Sequence, residues 1–497
     1  MHMKTQGHGI DKYPAKAHAR RVADTLNAPG IIAISASTLT LWPDSDMPMP
    51  FRQARYFYYL TGCDEPGCWV VYDIDHDRLT LWLPAIDESR VVWTGRGSTV
   101  EEAMEKYDID EAKYLSDDEF LLGRRLSADE DLYMLQPDIK NLPFTISIAM
   151  NRRLKGTRGK LKQAMDACRV IKDEHEIALI RQANDITAEA HTSVMRNIHR
   201  FTNEAEVEAA YTAVCIARHA KTQAYAPIAG SGPNAATLHY GANNQDFSNR
   251  HMLVLDAGCE VSCYASDVTR TLPLNPTNPG HWPTKECEQI YALVEKVQET
   301  CIAALRPGAP FTDIDALARR TTLQGLLALG ILVGDPDEIH NHGIVHAFFP
   351  HGLGHHVGLE VHDVSPVPAP PASHSSHSPA FHHSLPTSFT TTLTPPLTPP
   401  FSSTPLKPNM LLTIEPGLYF NRQLLTRYVL DDPVCRAYVD TEVLDRYWSV
   451  GGVRIEDDIL ITDVGYENVT GTPKGSEMLE VIRRGKGGKR GRGMGDE

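Results

Sequence analysis

The chain has 497 residues, 42% hydrophobic and 22% charged, and no run approaches the roughly 18 uninterrupted apolar residues of a membrane span. Lys and Arg number 48 against 63 Asp and Glu, a balance of −15 that argues against a general polyanion binder, because neutralising phosphates takes clustered positive charge. Nucleic acid is not an expected partner, and the length asks for two large lobes rather than one small module.

Residues 1–25 are polar and lack the apolar run of a secretory signal, and 14–26 reads as an ordinary first helix. From Ile31 to Phe144 short apolar runs such as Ile31–Ile34, Cys68–Tyr72 and Leu79–Leu83 alternate with acidic breaks, the pattern of a mixed α/β lobe. A basic stretch over 152–168 precedes an amphipathic helix expected at 170–198, so a domain boundary is expected near 160. Helices are predicted at 203–219, 284–305 and 312–330, and strands at 224–229, 252–256, 261–271, 410–414 and 452–462. Long helices interleaved with hairpin-like strands indicate an α+β domain over 161–482.

Two segments interrupt this order. Between Ser365 and Pro405, 31 of 41 residues are Pro, Ser, Thr or His and none is charged, so the segment is expected to be a disordered insertion. The end, 483–497, is expected to be a basic disordered tail, since six of the ten residues from Arg483 to Arg492 are Lys or Arg. Nine cysteines scattered from Cys63 to Cys435 form no disulfide framework and no zinc spacing. Reduced thiols and a cytoplasmic location are the expectation.

The chemistry concentrates in the second lobe. Asp256 ends the strand Met252–Leu255 and Asp267 follows eleven residues later, on what reads as a neighbouring hairpin strand, so the two carboxylates can converge. Phe349 to Asp363 packs four histidines among glycines. The spacing of His351 and His355 imitates a metal-binding helix, but Gly352 and Gly354 favour a loop that presents His355 inward. Glu415 and Glu456 stand in apolar, strand-like settings. Singly, each of these carboxylates has a structural explanation in a turn, a cap or, for Glu456, an ion pair with Arg454. Together, Asp256, Asp267, Glu415 and Glu456 carry four negative charges, which two divalent ions balance, with His355 adding a neutral nitrogen; oxygen-dominated ligation suits Mn²⁺. Gly230-Ser231-Gly232 loosely matches a dinucleotide loop, but Pro233 and the residues after it open no convincing helix.

These motifs, in this order, resemble the aminopeptidase P and prolidase family of proline-specific metallopeptidases. The resemblance rests on Gly230 to Tyr240, Asp256-Ala257-Gly258, Ser266-Asp267-Val268-Thr269, His351 to His355, His362-Asp363, Glu415-Pro416-Gly417 and Arg454-Ile455-Glu456-Asp457; Phe51-Arg52-Gln53 and Phe57 to Gly62 are similar to its N-terminal lobe. It implies a creatinase-like domain over 1–160 and a pita-bread catalytic domain after it, homo-dimers or higher homo-oligomers, and proline-containing peptides as substrates. It also implies that Asp256 binds one metal, His355 and Glu415 the other, and Asp267 and Glu456 both, with a bridging hydroxide attacking the carbonyl before proline. Glu415 is then the proton acceptor, His239 and His362 bind substrate and steady the intermediate, His351 lines the pocket, and Arg454 orients Glu456. The expected activity is that of an Xaa-Pro aminopeptidase; an Xaa-Pro dipeptidase, or a pita-bread binding protein without catalysis, are the alternatives. One departure stands out: the family commonly supplies a substrate-contacting arginine between the histidine block and Glu-Pro-Gly, and here 364–406 has no basic side chain except histidine.

Overall fold

The computed structural model describes residues 12–115, 131–135, 159–364 and 405–486, and the chain divides into two compact units, Met1–His175 and Glu176–Glu497. The segment expected to be a disordered insertion lies, but for Pro405, outside the described residues, as does the tail beyond Lys486.

In the first unit, α1 (Ala15–Leu26) buries Ala15, Ala19, Val22 and Ala23, a helical stripe that ends where Asn27 turns left-handed. Its sheet has the order β4-β3-β2-β1-β5, built from β1 (Ile31–Ser35), β2 (Trp69–Asp73), β3 (Arg78–Leu83), β4 (Glu111–Tyr114) and β5 (Leu132–Tyr133). β2 is antiparallel to both neighbours, while β4 and β5 join the edges in parallel. The side chain of buried Gln53 accepts from Ser37 N–H at 2.9 Å and donates to the carbonyls of Cys63 and Glu65, which ties both ends of α2 (Arg55–Thr61) to the strand that precedes it. α3 (Val100–Lys106) starts on a reciprocal Thr99–Glu102 cap. α4 (Lys160–Val170) packs against α1, so this unit runs past the expected boundary near 160.

The second unit opens with α5 (Glu174–Asn197), followed by α6 (Glu204–Ala217), α7 (Lys285–Ala303) and α8 (Phe311–Ala328). Its strands form small sheets rather than one large one. β6 (Ile228–Ser231), β7 (Met252–Asp256) and β10 (Thr269–Pro273) take the order β10-β7-β6, and β8 (Glu260–Val261) and β9 (Tyr264–Ala265) make a separate hairpin. β11 (Leu411–Ile414) pairs with β14 (Asp457–Ile461), which pairs with β15 (Tyr466–Asn468), while β12 (Gly417–Tyr419) pairs with β13 (Gly452–Arg454).

Three sequence expectations shift. The strand predicted at 224–229 begins only at Ile228, because Pro227 has no N–H to give a ladder. The strand predicted at 261–271 is broken by Ser262 and Cys263, both at positive φ, the backbone of a tight two-residue hairpin turn. Arg483 and Arg484, expected in the tail, belong to α9 (Gly475–Lys486), where both pair with Glu480, at 3.0 and 2.8 Å. No described helix is long and apolar enough to cross a membrane.

Candidate metal centre

Strand register brings the acidic residues together. Thr269 on β10 lies opposite Asp256 on β7 and also bridges to Glu456, so both carboxylates flank one position. Asp267 is two residues before Thr269, in the connection that leads into β10. From the other sheet, Ile414 pairs with Asp457, and Glu415 and Glu456 are the residues where β11 ends and β14 has yet to begin. His355 reaches the same point from a loop whose neighbour His356 bridges to Leu412. As the glycines suggested, 351–355 is not helical; Gly354 runs so close to β11 that a Cβ there would collide with the Thr413 carbonyl.

The side chains converge accordingly. Ligand atoms of Asp267, His355 and Glu456 all lie within 4.8 Å of one another, and His355 Nε2 is 3.4 Å from Asp267 Oδ2 and 3.3 Å from Glu415 Oε1. Asp256 Oδ1 is buried without a hydrogen-bond partner among the described residues, while its Oδ2 accepts from Arg454 at 2.5 Å. A second layer holds this set. Tyr225 OH donates to Asp267 at 2.6 Å, Thr269 Oγ1 donates to Glu456 at 2.6 Å, and the Asp267 N–H donates to Asp458 at 3.0 Å. Thr413 Oγ1 accepts from the His355 N–H at 3.0 Å and lies 3.3 Å from Glu415 Oε1.

Arg454 reaches Glu456 through a relay. It does not contact Glu456 directly: Nη2 pairs with Asp256, Nη1 donates to Tyr419 OH at 2.8 Å, and Nε donates at 3.2 Å to the Thr269 hydroxyl that in turn serves Glu456. The strand breaks after Arg454, so the two side chains no longer follow the alternation of one continuous strand. Tyr419 continues the chain to His351 Nε2 at 2.9 Å, and His351 Nδ1 lies 2.8 Å from the Gly352 carbonyl. Burial brings the His351 imidazole down to about 4, so the ring is neutral, with Nδ1–H donating to Gly352 and Nε2 accepting from Tyr419. His362 is exposed, with its ring 4.3 Å edge-on from that of His355, and His239 is exposed on the loop after β6.

That loop is organised by Glu204 at the start of α6. The buried carboxylate accepts from the Ser231 N–H and hydroxyl at 2.8 and 2.6 Å, from Asn234 at 3.0 Å and from Tyr240 at 2.8 Å. The donors a dinucleotide loop would aim at phosphate are thus spent on an internal anion, and Gly230-Ser231-Gly232 is a structural turn.

The electrostatics are those of a cation site. Burial, and then the charge of Asp256, hold Asp267 above the ordinary carboxylate range against the pull of His355; burial with Asp267 and Glu415 raises Glu456 well above it. Burial also opposes ionisation of Glu415, yet His355 overcomes it and brings the group down to about 2; burial works against the charged imidazole too, but Asp267 and Glu415 hold His355 well above 6.5. Four buried acids around one imidazole carry more negative charge than the protein neutralises, and an unpaired acceptor on Asp256 points to the same deficit. The donor set, four carboxylates and one imidazole nitrogen, fits two divalent ions.

The profile of metallopeptidase family M24 matches residues 178–463, and that of the aminopeptidase P N-terminal domain matches 15–133. The chain belongs to metallopeptidase family M24. It is 46% identical to a probable Xaa-Pro aminopeptidase of Pyrenophora tritici-repentis, over 98% of this chain and 74% of that protein, and 45% identical to one of Aspergillus clavatus, over 98% and 96%. Among solved structures, Escherichia coli aminopeptidase P with the inhibitor Pro-Leu superposes with a TM-score of 0.75 at 28% identity, covering 96% of this chain and all of the other. A zinc-substituted form of that enzyme with product gives 0.74 at 29%. The two-domain α+β architecture, with its pita-bread M24 domain, is therefore as the resemblance implied.

Sequence reasoning missed Tyr225, Thr269, Thr413, Tyr419 and Asp458. Thr269 alone had a readable signal, its two-residue offset from Asp267 on a strand. The others are set by pairing between distant segments.

Proposed function

We propose that the chain is a metallo-aminopeptidase that removes the N-terminal residue from peptides with proline in second position. The observation that carries this is the convergence of Asp256, Asp267, His355, Glu415 and Glu456 in an M24 domain whose relatives bear the name Xaa-Pro aminopeptidase. Those five residues would hold two divalent cations, which when bound supply Lewis acidity and water of lowered pKa. The oxygen-rich donor set favours Mn²⁺.

Glu415 takes a proton from the attacking water, whose oxygen bonds to the carbonyl carbon before proline, and returns it to the proline nitrogen as the C–N bond breaks. Its side chain keeps 16% of its surface exposed, which lets it meet both water and peptide. Arg454 neutralises Asp256 and braces Thr269, which fixes Glu456. His239 and His362, both exposed and the latter with its ring 4.3 Å from that of His355, bind the substrate and the developing oxyanion. His351 has both ring nitrogens engaged inside the protein, so it offers the peptide a wall rather than a hydrogen bond. Eight buried cysteines and one partly covered, all free, support a reducing, cytoplasmic setting. The exposed Leu41, Trp42 and Met47 on one hairpin of the N-terminal unit support a homo-oligomer.

The test compares an Xaa-Pro dipeptide with an Xaa-Pro-Xaa tripeptide, with and without Mn²⁺. Cleavage of the tripeptide before proline, dependent on metal, is expected; turnover of the dipeptide alone would make the protein a dipeptidase instead.

A further inference from the structure

α8 presents Asp315 and Arg319, one turn apart, to the segment that precedes His355. Arg319 Nε donates to Asp315 Oδ2 at 3.0 Å, which fixes the plane of the guanidinium. Nη1 then donates to His346 Nδ1 at 2.9 Å and to the Phe349 carbonyl at 3.0 Å, and Nη2 donates to the His351 carbonyl at 2.8 Å. Asp315 Oδ1 accepts the Leu353 N–H at 3.0 Å. The Phe349 ring lies 4.9 Å from the guanidinium and meets the His351 ring edge-on at 4.9 Å. Residues 349–354 have neither a helix nor a strand to hold them, and they include Gly352 and Gly354, the least restrained kind of backbone.

We infer that Asp315 and Arg319 are positioning residues of the metal centre: the pair grips the main chain from Phe349 to Leu353 and so fixes where His351 and His355 stand against the carboxylates. The inference rests on the metal-site reading above. Neither residue reaches a ligand atom; both act through the backbone. The grip needs a planar fork that serves an imidazole and two carbonyls at once, which an ammonium cannot do. Burial and Arg319 together bring His346 down to about 4, so its Nδ1 stays available as an acceptor.

The test uses the full-length protein with R319K and R319A, read by calorimetric Mn²⁺ titration and by tripeptide hydrolysis. R319K is expected to keep its melting temperature within a few degrees, to weaken Mn²⁺ binding about tenfold, as loss of a ligand's supporting contact does, and to lose roughly 100-fold in kcat/KM, the scale of an ångström-sized misplacement. R319A is expected to lose more and to regain about tenfold in millimolar guanidinium without a change in melting temperature, a rescue that a general loss of packing would not show. Wild-type Mn²⁺ affinity and kcat/KM in folded R319K would overturn the inference, and that variant decides the matter if R319A does not fold. If the wild-type protein binds Mn²⁺ but cleaves no Xaa-Pro peptide, the substrate reading fails while the Mn²⁺ affinities still judge the grip; if it binds none, both fall.

Discussion

Thr269 Oγ1 accepts from Arg454 and donates to Glu456, so one hydroxyl joins the two charges that sequence spacing had paired directly. Thr269→Val keeps the shape and removes the link, leaving a buried carboxylate oxygen and a guanidinium N–H without a partner, a loss of about 1–3 kcal/mol for each unsatisfied group. We expect Mn²⁺ affinity to fall about 10–100-fold, and calorimetric titration showing wild-type affinity would remove Thr269 from the support of the site. Glu415→Gln separates ligation from proton transfer: kcat should fall on the order of 10²–10⁴-fold even at saturating Mn²⁺. Full recovery of turnover at high metal would reduce Glu415 to a ligand. The candidate ligands themselves were legible as residues only together, because each carboxylate alone has a structural use in a turn, a cap or an ion pair, whereas four of them with a histidine call for a counter-charge. The partner of Arg454 was not, since Asp256 lies on β7, far away in sequence, and only strand pairing brings it near.

At the scale of elements, long helices were readable from their periodicity, with ends displaced by no more than a few residues, whereas strands failed wherever Pro227 or a tight turn cut an apolar run. α5 carries a titratable group of consequence. His191 is fully buried, its Nε2 lies 3.0 Å from the Ala257 carbonyl beside the Asp256 turn, and burial lowers it to about 3. Its folded value is below that of the unfolded chain, so the unfolded state takes up the proton first. Stability is therefore complete above about pH 6.5, the ordinary histidine value, and declines as pH falls from there toward 3. Urea midpoints of metal-free protein should drop between pH 7.5 and pH 5, and His191→Gln, which can still donate to Ala257, should flatten that slope. An unchanged slope would show that His191 does not control acid stability. Close approach of backbones makes Gly354→Ala the most damaging small change in the histidine loop: a methyl there collides with the Thr413 carbonyl, so β11 or His355 must move, and Mn²⁺ binding should weaken even where the variant folds.

For the whole molecule, positive charge and fold are linked. Four buried acids repel one another without a counter-charge, so ions that bind only the folded state add RT ln(1 + [L]/Kd), about 2.7 kcal/mol per site at a hundredfold excess over Kd. The melting temperature should rise with Mn²⁺ concentration and fall in chelator, and indifference to both would contradict the metal centre. The division into an aminopeptidase P-like first unit and an M24 second unit followed from composition and motifs, because each carries its own apolar pattern. The missing family arginine concerns 364–406, nearly all of which, the histidine-rich part included, lies outside the described residues.

The five acidic and histidine residues come from β7, the β9–β10 connection, the histidine loop, the end of β11 and the start of β14, with Asp256 first and Glu456 last. During synthesis at about 5–20 residues per second, the ribosome releases Asp256 and Asp267 roughly 10–40 seconds before Glu456 and Arg454. For that interval the growing chain holds two carboxylates meant for burial and neither the arginine nor the cations that neutralise them. β7 and β10 can pair in the meantime, yet the interior they belong to cannot close until almost the whole chain has been made. Capture of metal is thus a late event in the birth of this protein, and ribosome-bound chains stalled before residue 450 should retain no tightly held Mn²⁺, whereas the released full-length chain should.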